Sequence, residues 1–450
     1  MSDTVFTHNQ DQLRQLAQDV LRFAKETGGT DAAVEFSEGS GLSVSVRKGK
    51  IETIEQNKDK GMGVTVFIGQ KRGNASTSDF SAQALRATVE AAYNIARFTA
   101  EDDCAGLADA DMLELHPKDL KLCYPWLISA AEAVDLAQQC EAAAFAVDPR
   151  ITNSEGAGVY AQQSHFVAAN TRGFVGGYPY SRHTLSVAPI AGKGRNMQRD
   201  DWYSSMRDPN RLARPEAVGR YAAERALARL NARKLDTRKC PVLFEAPLAA
   251  GLLGAFVQAV SGGALYRKST FLLDSLGQQV FAPHIQLVED PHQVGAVGSS
   301  PFDDEGVRTT RRDVVKSGVV QGYFLSSYSA RKLGMQTTGN AGGSHNLSLT
   351  SSLTKATDDF TAMLKKLGTG LLVTELMGDG VNYVTGDYSR GASGYWVERG
   401  EIQYPVEEIT IAGNMKEMLR QIVAIGNDTL IRGTKQTGSI LVESMMVAGS

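Results

Sequence analysis

The stretch Thr385–Asn414, TGDYSRGASGYWVERGEIQYPVEEITIAGN, decides the class of this chain. Tyr395–Val397, Ile402–Val406 and Ile409–Ala412 read as short strands, punctuated by Gly391, Gly394, Gly400 and Gly413. Glu398-Arg399-Gly400-Glu401, between two strand-like runs, is a hairpin signal. Asp387, Tyr388, Ser389 and Arg390 precede those strands and read as a loop. Polar side chains on a glycine-hinged loop beside a sheet more often bind something than support a core. Asp387, Tyr388, Arg390 and, on the first strand, Tyr395 are therefore candidates for contact with a peptide or a partner. A local Asp387–Arg390 pair that only braces the hairpin is the competing reading.

Around this stretch the C-terminal part is strand-rich. Val242–Phe244, Gln279–Phe281, Gln286–Glu289, Val307–Val315, Val319–Leu325 and Ser439–Val442 read as strands, with a turn at Lys316-Ser317-Gly318. Helical spacing marks Leu248–Val260, ended by Gly262-Gly263, and shorter helices near Ser327–Leu333, Asp358–Leu367 and Met415–Val423. The N-terminal part follows another order. A helix from Asp11 to Glu26 precedes strands at Ala32–Phe36, Leu42–Arg47, Ile51–Glu55, Gly63–Ile68 and Gly73–Thr77, and a helix from Ser81 to Arg97 closes the unit. That order returns with a helix at Ala130–Val147, strands at Ile151–Glu155, Phe166–Asn170, Phe174–Tyr178 and Thr184–Ile190, and a helix at Pro215–Asn231. Ser37-Glu38-Gly39 and Ser154-Glu155-Gly156 read as matching turns. A duplication and two halves of one sheet both fit this pattern. The expected class is α+β, with a mixed helix–meander–helix N-terminal half and a β-rich C-terminal half. Expected domains are residues 1–110, 111–235 and 236–450.

Composition narrows the function. The 450 residues carry a formal net charge of −3 with acids and bases interspersed. No single-sign patch of the kind that binds a nucleic-acid backbone is built by this sequence. Mean hydropathy is −0.21, and without a long apolar run no membrane helix is expected. The opening MSDTVFTHNQDQLRQL lacks the basic and apolar regions of a secretory leader. Cys104, Cys123, Cys140 and Cys240 lie far apart without a CxxC, as reduced structural thiols of a cytoplasmic protein would.

Motifs that carry chemistry are missing. None of His8, His116, His165, His183, His284, His292 and His345 has the one-turn spacing that lets two imidazoles of a helix face one zinc. There is no GxSxG elbow and no phosphate-cradling glycine loop. SxxK spacings at Ser45–Lys48, Ser329–Lys332 and Ser352–Lys355 recur in unrelated contexts. Arg308, Arg311 and Arg312 follow the acids Asp303, Asp304 and Glu305. Local ion pairs on a solvated hairpin explain them. The sharper alternative puts Arg308 on a strand, where it fixes a carboxylate by a bidentate contact.

Longer segments carry a resemblance. SGGALYRKSTFLLDSLG (Ser261–Gly277), SPFDDEGVRTTRRDVVKSGVVQGYFLSSYSARKLG (Ser300–Gly334), TGLLVTELMGDGVNYVTGDYSRGASGYWVERGEIQYPVEEITIAGN (Thr369–Asn414) and IVAIGND (Ile422–Asp428) resemble the TldD/TldE (PmbA) peptidases, also labelled modulators of DNA gyrase. The match spans nearly the whole chain and is closest to the PmbA/TldE subunit. It implies a cytoplasmic zinc-dependent peptidase made of two paralogous subunits, active in proteolysis and peptide maturation. The family's catalytic subunit carries HExxxH on a helix, and that helix falls here on Gly254-Ala255-Phe256-Val257-Gln258-Ala259. Gly254, Ala255 and Ala259 stand at the ligand and base positions, and the catalytic subunit's cysteine falls near Thr437. The resemblance thus implies a non-catalytic subunit with no cofactor of its own, its zinc held by a TldD-like partner. The implied partners are that paralogue in a heterodimer, a second copy when alone, and unfolded peptides, with no nucleic acid and no membrane. A stand-alone scaffold or peptide-binding protein is the alternative.

Overall fold

The structure is a computed structural model and describes residues 5–449; the Met1–Thr4 start of the opening segment lies outside them. The class is α+β, and the chain divides into two compact units. Unit 1 comprises Met1–Leu227 and Val294–Thr309, and unit 2 comprises Ala228–Gln293 and Thr310–Ser450.

Unit 1 begins with α1, Gln10–Thr27. The Asn9 side chain caps it in a reciprocal box with Gln12, and Gly28 at φ 107° stops it. Three long strands follow the sequence: β1 (Asp31–Arg47), β2 (Lys50–Ile68) and, after β3 (Lys71–Thr77), α2 (Ala82–Phe98) and α3 (Ala130–Phe145), β4 (Ile151–Asn170). Short β5 (Val175–Gly176), β6 (Pro179–Ala191), β7 (Gln198–Arg199), β8 (Trp202–Met206) and α4 (Pro215–Ala228) complete the order. All these strands belong to one sheet, ordered β3-β2-β1-β4-β6-β7, with β5 on β4 and β8 on β6. The two helix–meander–helix patterns are therefore two halves of one sheet.

Expected strand pairs have merged here. Ala32–Phe36 and Leu42–Arg47 are one strand, because Ser37–Gly41 stays in register with both neighbours instead of turning. Gly39 lies under the Asp59 side chain, whose Oδ1 would stand 2.4 Å from a Cβ there and would swing away. The matching Ser154-Glu155-Gly156 is a bulge in β4, with Gly156 at φ 117°. Side chains alternate along these strands. On one face Val34, Phe36, Val64 and Val167 pack under α1 and α2, and on that same face Val44, Val46 and Val159 pack under α3 and α4. The opposite face carries a smaller cluster of Phe166, Phe174, Tyr178 and Phe302.

Unit 2 contains two six-stranded sheets. The first joins β9 (Arg238–Phe244), β14 (Gly370–Met377), β15 (Asp387–Glu398), β16 (Glu401–Asn414), β17 (Ile422–Ile425) and β20 (Ile440–Ala448). Its order is β16-β15-β14-β9-β20-β17, and β16 also pairs with β20, so five of the strands close on themselves. The second joins β10 (Ile285–Glu289), β11 (Arg312–Lys316), β12 (Val319–Val320), β13 (Leu347–Ser351), β18 (Leu430–Arg432) and β19 (Lys435–Thr437) in the order β12-β11-β10-β13-β19-β18. Helix α5 (Ala246–Ala259) buries Ala249, Leu252, Leu253, Phe256 and Ala259, and packs against β14, β18 and β19. Gly262-Gly263 do not end it; they open α6 (Gly262–Tyr266) behind the cap of Ser261. Short α7 (Ser327–Lys332), α8 (Phe360–Leu367) and α9 (Met415–Arg420) fill the connections.

Two further expectations give way. Val307–Val315 is not one strand: Val307 and Arg308 make isolated bridges within unit 1, while Arg312–Lys316 is a strand of unit 2. Asp387–Arg390 is not a loop: it is the first part of β15, in register with Ile411–Asn414. The glycine density misleads because only some of these glycines turn the chain. Arg399 and Gly400, at φ 52° and 78°, form the expected hairpin turn. Gly394 instead stays in the strand, at a bulge where a Cβ would come 1.9 Å from the Leu372 carbonyl.

Candidate functional site

Helix α5, on which the resemblance sets the HExxxH positions, carries no metal donors at Gly254, Ala255 or Ala259. It contacts β19, so Gly254, Ala255, Ala259 and Thr437 belong to neighbouring elements of unit 2. Ala259 and Thr437 are fully buried, and Ala255 nearly so. The Cε of Lys435 lies 3.6 Å from the point where a Cβ at Gly254 would stand. A hydrogen, two methyls and a hydroxyl are no ligand set for zinc, which takes imidazole, thiolate or carboxylate. These residues do not fit a metal ion. Among the described residues no group of three His, Cys, Asp or Glu is arranged to hold a metal ion.

The polar cluster of interest lies where β14 passes into β15. Gly378, at φ 72°, turns the chain out of β14, and the segment folds back so that Ser389 N donates to the Gly380 carbonyl and Asn382 N to that of Asp387. Gly380 lets it lie flat: a Cβ there would be 2.0 Å from the Ser389 carbonyl and 2.4 Å from Arg390 Cγ. Alternation along β15 then sorts the four polar residues. Asp387 and Ser389 face out, while Tyr388 and Arg390 share the inner face.

Asp387 and Arg390 do not pair. Asp387 accepts from Thr385 Oγ1 at 2.7 Å and Asn414 Nδ2 at 3.1 Å, and these two donors hold its carboxyl below the usual range. Tyr388 is 3% exposed, inside the main core of unit 2. Its hydroxyl has no hydrogen-bond partner of proper geometry, and the half-buried Arg390 has its Nε in the same condition. Burial pushes the Tyr388 phenol up to about 12, against the pull of the adjacent Arg390 guanidinium. Tyr383 stands in the same field: burial and then Asp379 raise its phenol, and Arg390 opposes them. Tyr383 and Asp379 were not candidates from sequence; the Gly-Asp-Gly turn at 378–380 was the available signal.

The remaining candidates lie apart. Tyr395 is beyond the bulge, on the opposite face of β15, packed with Met363 and Leu364 of α8. Arg308 belongs to unit 1, where its guanidinium donates to the carbonyls of Asp111 and Leu113 and its backbone N to that of Met112. Arg312 reaches back to Glu289 at 2.8 Å, not to the neighbouring acids.

One further cluster escaped sequence reasoning because its members are far apart in the chain. In unit 1 the buried Glu38 carboxylate receives His8 Nδ1 at 2.6 Å, the His8 backbone N at 3.1 Å and His165 Nε2 at 3.4 Å. Burial works against that charge, yet the two histidines hold Glu38 below the ordinary carboxylate range. Burial also lowers His165, with Glu38 opposing.

The chain belongs to the PmbA/TldD metallopeptidase family. Residues 32–96, 123–230 and 237–449 match the first, central and C-terminal domains of the PmbA/TldA metallopeptidases. The chain is 47% identical over 439 residues to Metalloprotease PmbA of Escherichia coli O157:H7, covering 97% of each. It is 45% identical to the Metalloprotease PmbA homolog of Haemophilus influenzae, over 100% of this chain and 99% of that one. The Metalloprotease TldD homolog of the same bacterium is 23% identical, over 82% of this chain and 80% of its own length. Among solved structures, a modulator-of-DNA-gyrase protein of Bacteroides thetaiotaomicron superposes with a TM-score of 0.91 at 27% identity, covering 98% and 99% of the two chains. TldE of Thermococcus kodakarensis shares the fold, with a TM-score of 0.84 at 19% identity over 96% and 100%. No helix among the described residues is long and apolar enough to cross a membrane.

Proposed function

We propose that this chain is the non-catalytic subunit of a cytoplasmic zinc-dependent peptidase. It would pair with a HExxxH-bearing TldD-like paralogue, pair with a second copy when that partner is absent, and help present unfolded or flexible peptides for cleavage. The observation that supports this is α5: the chain matches the metallopeptidase family along its length, while Gly254, Ala255 and Ala259, which the resemblance sets at the ligand and base positions, offer no donors. The zinc, in this reading, belongs to the partner.

An open strand edge supports the peptide-presenting part. β3 pairs with β2 only from Met62 to Ile68, so among the described residues Lys50–Gly61 has a free outer edge. Main-chain groups on such an edge can add an extended peptide as a further strand without reading its sequence. The charges there are mixed (Lys50, Glu52, Glu55, Lys58, Asp59, Lys60) and favour no one composition.

The test is reconstitution. Degradation of an unfolded casein-type substrate is measured with the HExxxH paralogue alone, this chain alone, and both together. The pair is expected to degrade it while each alone does not. Full-rate degradation by the paralogue alone overturns the subunit role and leaves a stand-alone scaffold.

A further inference from the structure

A buried polar atom without a partner costs free energy that folding does not recover, so natural cores hold few of them. The β14–β15 corner holds two, on residues two apart on one strand face. The Tyr388 hydroxyl and Arg390 Nε are both buried and both lack an acceptor. No ion pair forms at the Arg390 guanidinium among the described residues. Neither group is loose: Tyr388 sits in the core, and the Arg390 stem is held under Gly380 by the folded-back segment 378–387. Both groups can donate, and a guanidinium presents its donors in a planar fork matched to a carboxylate. What the corner lacks is an anionic acceptor.

We propose that Tyr388 and Arg390 form a carboxylate-binding site for peptides, taking either a C-terminal carboxylate or an acidic side chain. The phenol hydroxyl donates to one carboxylate oxygen and the guanidinium to both. A phenol kept protonated by burial remains a donor throughout the physiological range. Tyr383 lies in the field of both Asp379 and Arg390, and Asp379 gives the site a selectivity: it repels an anion that Arg390 does not fully engage. Peptides as the ligand class come from the function proposed above. The site itself is tested on this chain alone, so its failure leaves the pairing with a metallopeptidase untouched, and failure of the pairing leaves the site standing.

The experiment measures binding of three fluorescently labelled tetra-alanine probes to the full chain by anisotropy. One carries a free C-terminal carboxylate, one a C-terminal amide, and one an amide with an internal glutamate. At least one carboxylate probe is expected to bind tenfold or more tightly than the plain amide. The winning probe distinguishes a terminal from a side-chain carboxylate. Arg390→Gln should abolish the preference. Tyr388→Phe should weaken the winning probe several-fold and raise Tm, since it removes an orphaned hydroxyl from the core. That pairing of weaker binding with higher Tm is what a purely structural tyrosine would not produce. Equal binding of all three probes, binding of none, or a fall in Tm for Tyr388→Phe overturns the proposal.

Discussion

The contact of α5 with β19 and the corner between β14 and β15 lie in the same unit, and they treat polar groups in opposite ways. At α5 and β19 the positions that the resemblance sets against the catalytic subunit's ligands hold hydrogen, methyl and hydroxyl, and Ala255, Ala259 and Thr437 among them are packed as ordinary core. At the corner, a tyrosine hydroxyl and an arginine nitrogen are buried with nothing to bond. One region is without metal donors. The other has kept polar groups at a cost to packing. The difference puts the candidate binding groups at the corner and not on α5.

The strongest way to break that comparison is at the packed side. Phe256 is fully buried and meets Phe281 edge-on, with centroids 4.9 Å apart. Phe256→Ala should destabilise unit 2 by about 3–5 kcal/mol through lost burial and the cavity left behind, read from urea unfolding. A loss under 1 kcal/mol would show that α5 is not core.

The Glu38 cluster of unit 1 is the reference for a satisfied buried polar group. Glu38→Ala strands donors from His8 and His165, at roughly 1–3 kcal/mol for each left unpaired. This is opposite in sign to the stabilisation expected of Tyr388→Phe. The cluster also sets a pH dependence. Folded His165 lies below its unfolded value, so the unfolded chain takes up its proton first, and stability falls as pH drops below roughly 6.5. Folded Glu38 is likewise depressed, so its contribution is present at neutral pH and is lost at lower pH, through its own folded pKa. Tm should therefore fall between pH 7 and pH 5, with amide exchange rising first in β1 and β4. A flat Tm over that range would contradict the burial of the pair.

The smallest effect is the sharpest control on the corner. Asp387 points outward from the strand on which Tyr388 points inward. Asp387→Asn keeps the shape and the contacts to Thr385 and Asn414 and should change stability by no more than about 0.5 kcal/mol, with carboxylate binding unchanged. A large loss of binding would move the site to the outer face.

Much of the fold could be read from local signals. Lys48-Gly49, Ser317-Gly318 and Arg399-Gly400 all turn with positive φ, because a tight hairpin demands it and the sequence advertises it. The helix starts expected at Ser81 and Ala130 hold, each behind a serine cap, Ser81 and Ser129. Strand length was not legible. Ser37–Gly41 carries every mark of a turn and runs straight, because its neighbours on both sides stay in register. The site was half legible. Alternation would have separated Tyr388 and Arg390 from Asp387 had the segment been recognised as strand, but glycines that serve close packing look the same in sequence as glycines that turn. Arg308 had no local signal for its true role, since the carbonyls it binds lie nearly two hundred residues earlier. The Glu38 cluster joins residues 8, 38 and 165, which only the sheet brings together.

The most direct test of the central claim is the metal content of the pure chain. The chain is dialysed against zinc, passed through a desalting column, and measured by elemental analysis alongside a peptidase assay with and without chelator. The structure of α5 predicts no stoichiometric zinc and no chelator-sensitive cleavage. About one tightly held zinc per chain, with cleavage lost to the chelator, would contradict it.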